Sequence, residues 1–269
     1  MQFVFQPYLS RGSSTPCIAR TMLQTTELVQ AFPISEDTRK ALAGVSHSVM
    51  LKLVACLDSS EPVLQQVAQG KAQLDSGEMP VSTGGAALQL PAVLDLRARV
   101  EGFLYNCKLA LREIAGLFEP FYGQRFDHRY QRITVWAAEA FGADDPLVRL
   151  LAEDAPWIER VIGMRNAVDH PGSSDGTLVV ENFRIIDSVP PVISEPSWHR
   201  DAEAPVPIAD DIEAIQHNLL TLYEDILVDL LLRTAPNVPF SIYEIPEAER
   251  DPAKPIRLRV GLSSTLPSA

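Results

Sequence analysis

Met164-Arg165-Asn166-Ala167-Val168-Asp169-His170-Pro171-Gly172 is the stretch on which the reading of this chain turns. A helix-patterned run leads into it and a Pro-Gly break follows it. Within six residues it gathers a guanidinium, an amide, a carboxylate and an imidazole. From Pro146 to Val168 the apolar residues Leu147, Leu150, Leu151, Ile158, Val161, Ile162 and Val168 fall mostly at three-and-four spacing, which predicts one amphipathic helix. Asp145 before Pro146 fits an N-cap with proline at the first helical position. Pro156 is expected to kink or divide the helix near Ala155. Pro171 disfavours helical geometry at His170, and Gly172 can supply the following turn, so His170 is expected at or just past the last helical residue.

Asn166 and His170, four apart, share a helix face. Arg165 and His170, five apart, diverge by roughly 140°. Either Arg165 curls toward the imidazole, or both converge on a ligand or a partner chain. A helix C-terminus favours a cation, and Asp169 acts in the same direction, so an imidazolium at His170 would be stabilised. A histidine near neutrality exchanges protons, and an arginine holds phosphate through paired hydrogen bonds. Spacing alone also fits plain helix-ending chemistry, with Arg165 paired to an acid and His170 capping carbonyls.

Arg165-Asn166-Ala167-Val168-Asp169-His170 resembles the signature of the HEPN superfamily: arginine, a polar residue, three variable residues and histidine, near the end of a helix in a small helical bundle. The His-Pro-Gly ending is similar to that of many members. The likeness covers roughly Leu94 to Ala235. It implies one of two things. Many HEPN proteins are metal-independent endoribonucleases, often toxins, whose motif copies meet across a dimer; others bind nucleotides, RNA or protein without catalysis. Carried onto this chain, Arg165 would bind and stabilise the scissile phosphate, His170 would act as general base or acid, and Asn166 would orient the site. The resemblance therefore implies an endoribonuclease leaving 2′,3′-cyclic phosphate ends, a homodimer, no metal or other cofactor, and a protein antitoxin or inhibitor as partner. A non-catalytic module binding a nucleotide or protein partner is the alternative, and a helical scaffold with no site is a third reading.

The 269 residues are 46% hydrophobic with mean hydropathy +0.02, enough to bury a substantial core. A net charge of −12 and a pI near 4.9 oppose nucleic-acid binding, so an RNA site must be a local basic patch on an acidic body. Arg97, Arg99, Lys108 and Arg112 on one helix, with Arg125, Arg129, Arg132, Arg160 and Arg165, are the candidates, and Arg160 is expected beside Arg165 in substrate binding. The alternative is that these are solvated faces balanced by acids. Cys17, Cys56 and Cys107 suggest neither a disulfide framework nor a metal site, and Cys107 falls on an apolar stripe. The first residues carry no basic region ahead of a long apolar run, and no stretch reaches the 18 or so apolar residues of a membrane span. A cytoplasmic protein with no membrane contact is expected.

The fold expected is mainly α: a HEPN-like helical bundle over 91–235, an N-terminal helical extension over 1–90, and a C-terminal tail over 236–269 with short strands. Phe3 to Phe5 suggests a strand. One helix should open at Ser35 and a second at Ser59-Ser60-Glu61-Pro62. The segment from Gly77 to Pro91 reads as a linker. Further helices are expected from Pro91 to Phe118, from about Asp127 to Phe141, and from a capping-box-like start at Asp210 and Glu213. Thr177 to Asp187 should make a hairpin turning at Glu181-Asn182, and Val189 to Pro207 a surface loop. His199 in that loop is a weaker candidate for the site. Phe240 to Ile245 and Ile256 to Val260 read as short strands, and the last residues as disordered.

Overall fold

The computed structural model describes residues 9–76, 89–187, 192–201, 203–235 and 240–262. The expected strand at Phe3 to Phe5, most of the linker and the final residues lie outside them. The chain is mainly helical, with the helices α1 (Pro16–Ile18), α2 (Thr25–Ala31), α3 (Glu36–Ser76), α4 (Leu96–Ala115), α5 (Glu119–Tyr122), α6 (Tyr130–Phe141), α7 (Pro146–Asp169) and α8 (Ile208–Thr234). A π-helical segment, Ala19–Gln24, joins α1 to α2. The residues form two compact units, each assembled from separated segments. One takes residues 1–54, 112–127 and 220–269, and the other takes 55–111 and 128–219.

In the first unit, Leu28, Phe32, Leu42, Val49, Ile114, Phe118, Ile226, Leu227 and Leu230 form the core. The two runs read as short strands are β6 (Phe240–Glu244) and β7 (Leu258–Leu262), which pair antiparallel. A polar network is also sealed inside. Glu224, fully buried, accepts from Arg20 Nε at 2.7 Å, Gln24 Nε2 at 2.7 Å and Arg257 Nη1 at 3.0 Å. Gln24 Oε1 accepts from the backbone N–H groups of Arg257 and Leu258, which ties β7 to the same network.

The second unit holds the motif. Its core contains Val63, Val67, Val100, Phe103, Leu104, Ile133, Leu147, Leu151, Ile158, Val161, Trp198, Ile212 and Leu219. Cys107 is buried there as expected, its Sγ 3.7 Å from that of Cys56. Burial, with the neighbouring Cys56, pushes the Cys107 thiol well above its usual range. β1 (Leu178–Glu181), β4 (Ser197–Arg200) and β5 (Val206–Pro207) form a three-stranded sheet, while β2 (Arg184–Ile186) pairs with β3 (Val192–Ser194).

Several local expectations are corrected. The two helices expected around Ser59 to Pro62 are the single helix α3, with Pro62 inside it. Proline removes one hydrogen bond, but buried Cys56 before it and Val63 and Val67 after it keep the chain helical. Nor does Pro156 divide α7, whose buried Leu151 and Ile158 flank it. α4 begins at Leu96 because the preceding backbone is held elsewhere: Val93 N–H donates to Asn182 Oδ1 at 3.0 Å and Leu94 N–H to Gln66 Oε1 at 2.8 Å. That same Asn182 undoes the expected hairpin. Its amide clamps Val93, Phe183 turns inward against Gly70, and β1 pairs with β4 in place of β2. The expected surface loop is thus partly strand, with Trp198 fully buried. α8 starts at Ile208, which leaves Asp210 and Asp211 in its first turn, favourable to the helix dipole.

One helix, α3, is long and apolar enough to cross a membrane by length and composition, with a mean hydropathy of 1.4 over its best 18 residues. This corrects the expectation that no stretch qualifies. Its buried residues, among them Leu42, Val49, Val63 and Val67, lie in the cores just described.

Candidate functional site

α7 is anchored by Ile158, Val161, Met164 and Ala167, all buried, so Arg165 and Asn166 emerge on its less buried sides. The helix boundaries agree with the sequence. Asp145 Oδ1 caps the start by accepting from Leu147 N–H at 2.9 Å, and His170 is the C-cap, its N–H bonded to the Asn166 carbonyl at 2.8 Å. Gly172 takes φ +77°, the left-handed turn that side chains rarely adopt.

Arg165 is engaged within the chain. Its Nη2 lies 2.6 Å from Asp169 Oδ1, and its guanidinium carbon sits 5.3 Å from the centroid of the Tyr105 ring. The Nε–H of Arg165 is buried with no partner among the described residues. Asn166 is held from both sides: Lys108 Nζ donates to its Oδ1 at 2.8 Å, and its Nδ2 donates to Asp175 Oδ2 at 3.1 Å. His170 is exposed, and among the described residues its side chain shares no hydrogen bond with Arg165. The site is therefore an open imidazole at a helix end, with a guanidinium and a fixed amide on the preceding turn.

Arg160 lies one turn and a half earlier and faces elsewhere. Its two Nη groups donate to both oxygens of Asp211, at 2.8 and 2.7 Å, and Trp198 Nε1 donates to the same carboxylate. Arg160 also lines a cavity of about 540 Å³ with Pro156, Glu159, Asp175, His199, Arg200 and Glu203. His199 is half-buried in β4 rather than exposed in a loop, and its Nδ1 is buried with no partner among the described residues.

Of the other basic candidates, Arg97 pairs with Glu101, Arg112 with Glu113 and Arg125 with Glu119. Among the described residues, no group of three or more histidine, cysteine or acidic side chains is placed to hold a metal ion. Sequence reasoning passed over Tyr105, Asp175 and Arg200 as site residues. Tyr105 left a faint signal, an aromatic residue off the apolar stripe of its helix. Asp175, in a Ser-Ser-Asp-Gly loop, left none. Compared with family models, curated proteins and solved structures, the chain matches none.

Proposed function

We propose that this protein is a metal-independent endoribonuclease of the HEPN type, acting as a homodimer on RNA. The observation that carries the reading is the end of α7: His170 is exposed, while Asn166 beside it is fixed by Lys108 and Asp175. In the reaction His170 takes the proton of a 2′-hydroxyl, whose oxygen attacks the adjacent phosphorus. The bond to the 5′-oxygen breaks, and the leaving oxygen takes a proton from the imidazolium of the second copy. Arg165 leaves Asp169 and grips the phosphate as charge builds on it. A cytoplasmic setting supplies the RNA, and a protein antitoxin or inhibitor covering His170 would hold the activity in check.

The products test the reading. Cleaved RNA should end in 2′,3′-cyclic phosphate, and His170→Ala should abolish cleavage while leaving the oligomeric state intact. Linear 3′-phosphate or 3′-hydroxyl ends formed directly would sink it. A second reading, a module that binds a nucleotide or protein without cutting, is favoured by the pairing of Arg165 with Asp169 and by the charge of −12. It predicts saturable binding without products.

A further inference from the structure

Two residues that line the cavity beside α7 carry a side-chain nitrogen that no described residue satisfies. Arg200 Nε and His199 Nδ1 are both buried and without partners among the described residues. Buried polar atoms in this state are uncommon and call for a partner, which for Arg200 Nε–H must be an acceptor. The rest of the Arg200 guanidinium is only partly used. Its Nη2 donates to Glu203 Oε1 at 2.7 Å, and its Nη1 lies 3.9 Å from Asp175 Oδ1. Glu203 also accepts from the Arg200 backbone N–H at 3.3 Å. Burial raises the Glu203 carboxyl, but the hydrogen bonds and charge of Arg200, with Arg160 behind, bring it below the usual carboxylate range overall. An internal oxyanion thus already occupies part of the cavity, held from an exposed connection by a side chain that is 46% exposed.

The helix is shaped for this guanidinium. A Cβ at Gly163 would collide with Arg200 Nη1, so only glycine lets Arg200 lie flat against α7 there. We infer that this cavity is a binding pocket for a phosphate group, in which Arg200 and His199 supply the donors and Glu203 is the internal carboxylate that the ligand displaces. Asp175 and Glu159 keep their charges at the rim, and the Arg200 guanidinium, its Nη1 3.9 Å from Asp175 Oδ1, is what offsets Asp175 there. Arg160 is closed in a bidentate pair with Asp211 and offers the ligand no free fork.

The source of the phosphate follows from position. Glu159, Gly163, Asn166 and His170 fall within about 60° of one another around α7. Gly163 is seven residues from His170, about 10 Å along the axis. The pocket and the imidazole thus share one face, at a separation that an RNA strand spans within two nucleotides or so. That extension rests on the ribonuclease reading; the pocket itself does not.

Inorganic phosphate is the probe for the pocket, titrated into the full chain while the His199 ring nitrogens are followed by NMR. Wild type should bind weakly. E203Q, which removes the competing charge, should bind at least fivefold tighter, and R200A should lose binding. Phosphate binding no tighter in E203Q overturns the proposal, as does unchanged binding in a folded R200A. A short single-stranded RNA, titrated in the H170A background, tests the source. R200A should weaken its binding alongside that of phosphate. If phosphate binding is lost and RNA binding is not, the strand is overturned as the source and a free phosphate ester takes its place. Cleavage by the wild-type protein bears on the ribonuclease reading alone.

Discussion

Asp175 Oδ2 accepts from Asn166 Nδ2 at 3.1 Å, which ties the amide of the α7 motif to the loop that follows the helix. The other oxygen of Asp175 faces Arg200 at 3.9 Å, so one carboxylate lies between the motif and the neighbouring cavity. Lys108 completes the grip on the amide from α4. In the proposed reaction Asp175 is a positioning residue. Asp175→Ala should lower kcat for RNA cleavage roughly tenfold, since small displacements of an aligned group cost rate steeply. Asp175→Asn keeps an oxygen acceptor for Asn166 and should recover most of the loss. Equal loss in both variants would argue against positioning through the Asn166 hydrogen bond.

Asp169 holds Arg165 in the free protein at 2.6 Å. If a phosphate takes its place, Asp169→Ala should strengthen RNA binding at least twofold, since an exposed i,i+4 pair is worth about 0.3–0.5 kcal/mol and Arg165 is largely buried. Fluorescence anisotropy with labelled RNA in a His170→Ala background measures this without cleavage. Weaker binding would mean that Asp169 aids the ligand.

The buried network of the first unit makes a prediction about stability. Glu224, itself fully buried, receives three donor side chains. Glu224→Ala leaves the Arg20 and Arg257 charges without their buried partner and should cost about 3–5 kcal/mol, as when one member of a buried pair is removed. Thermal and urea unfolding measure the loss. A cost below about 1 kcal/mol would mean that water reaches both arginines readily.

Asp154 supplies a pH test. It is half-buried, and its Oδ1 accepts from Trp157 Nε1 at 2.7 Å. Burial pushes its carboxyl above the ordinary range, the Trp157 hydrogen bond opposes this, and Glu153 adds to it. The folded chain therefore holds the proton more tightly than the unfolded chain, and stability falls as pH rises through the interval between their two pKa values. The penalty is fully present above the folded-state pKa and absent below the ordinary carboxylate range. Asp154→Asn keeps an acceptor for Trp157 and removes the charge. Its Tm should exceed that of wild type at neutral pH, and the gain should fade toward about pH 4. A gain independent of pH would contradict this origin.

The ends of α7 were legible because their signals are local: Asp145 and Pro146 start it, and Pro171 and Gly172 close it. Pro62 and Pro156 misled for the same reason. A proline reports a lost hydrogen bond, while the burial of Val63 or Ile158 that outweighs the loss depends on distant residues. The pairing of β1 with β4 depends on Asn182 reaching Val93, a partner 89 positions away. At the site, the motif was readable as a pattern, but Lys108, Asp175 and Tyr105 meet it only once the chain is folded. Arg160 and Arg165, grouped by type in the sequence, point to different surroundings, one to Asp211 and the other to Asp169 and Tyr105.

The measurement that bears most directly on the central claim is cleavage of a mixed-sequence RNA by the purified protein in excess EDTA, with His170→Ala run in parallel. The account predicts cleavage by the wild-type protein and none by the variant. No cleavage by a folded wild-type protein, or equal cleavage by both, would contradict it.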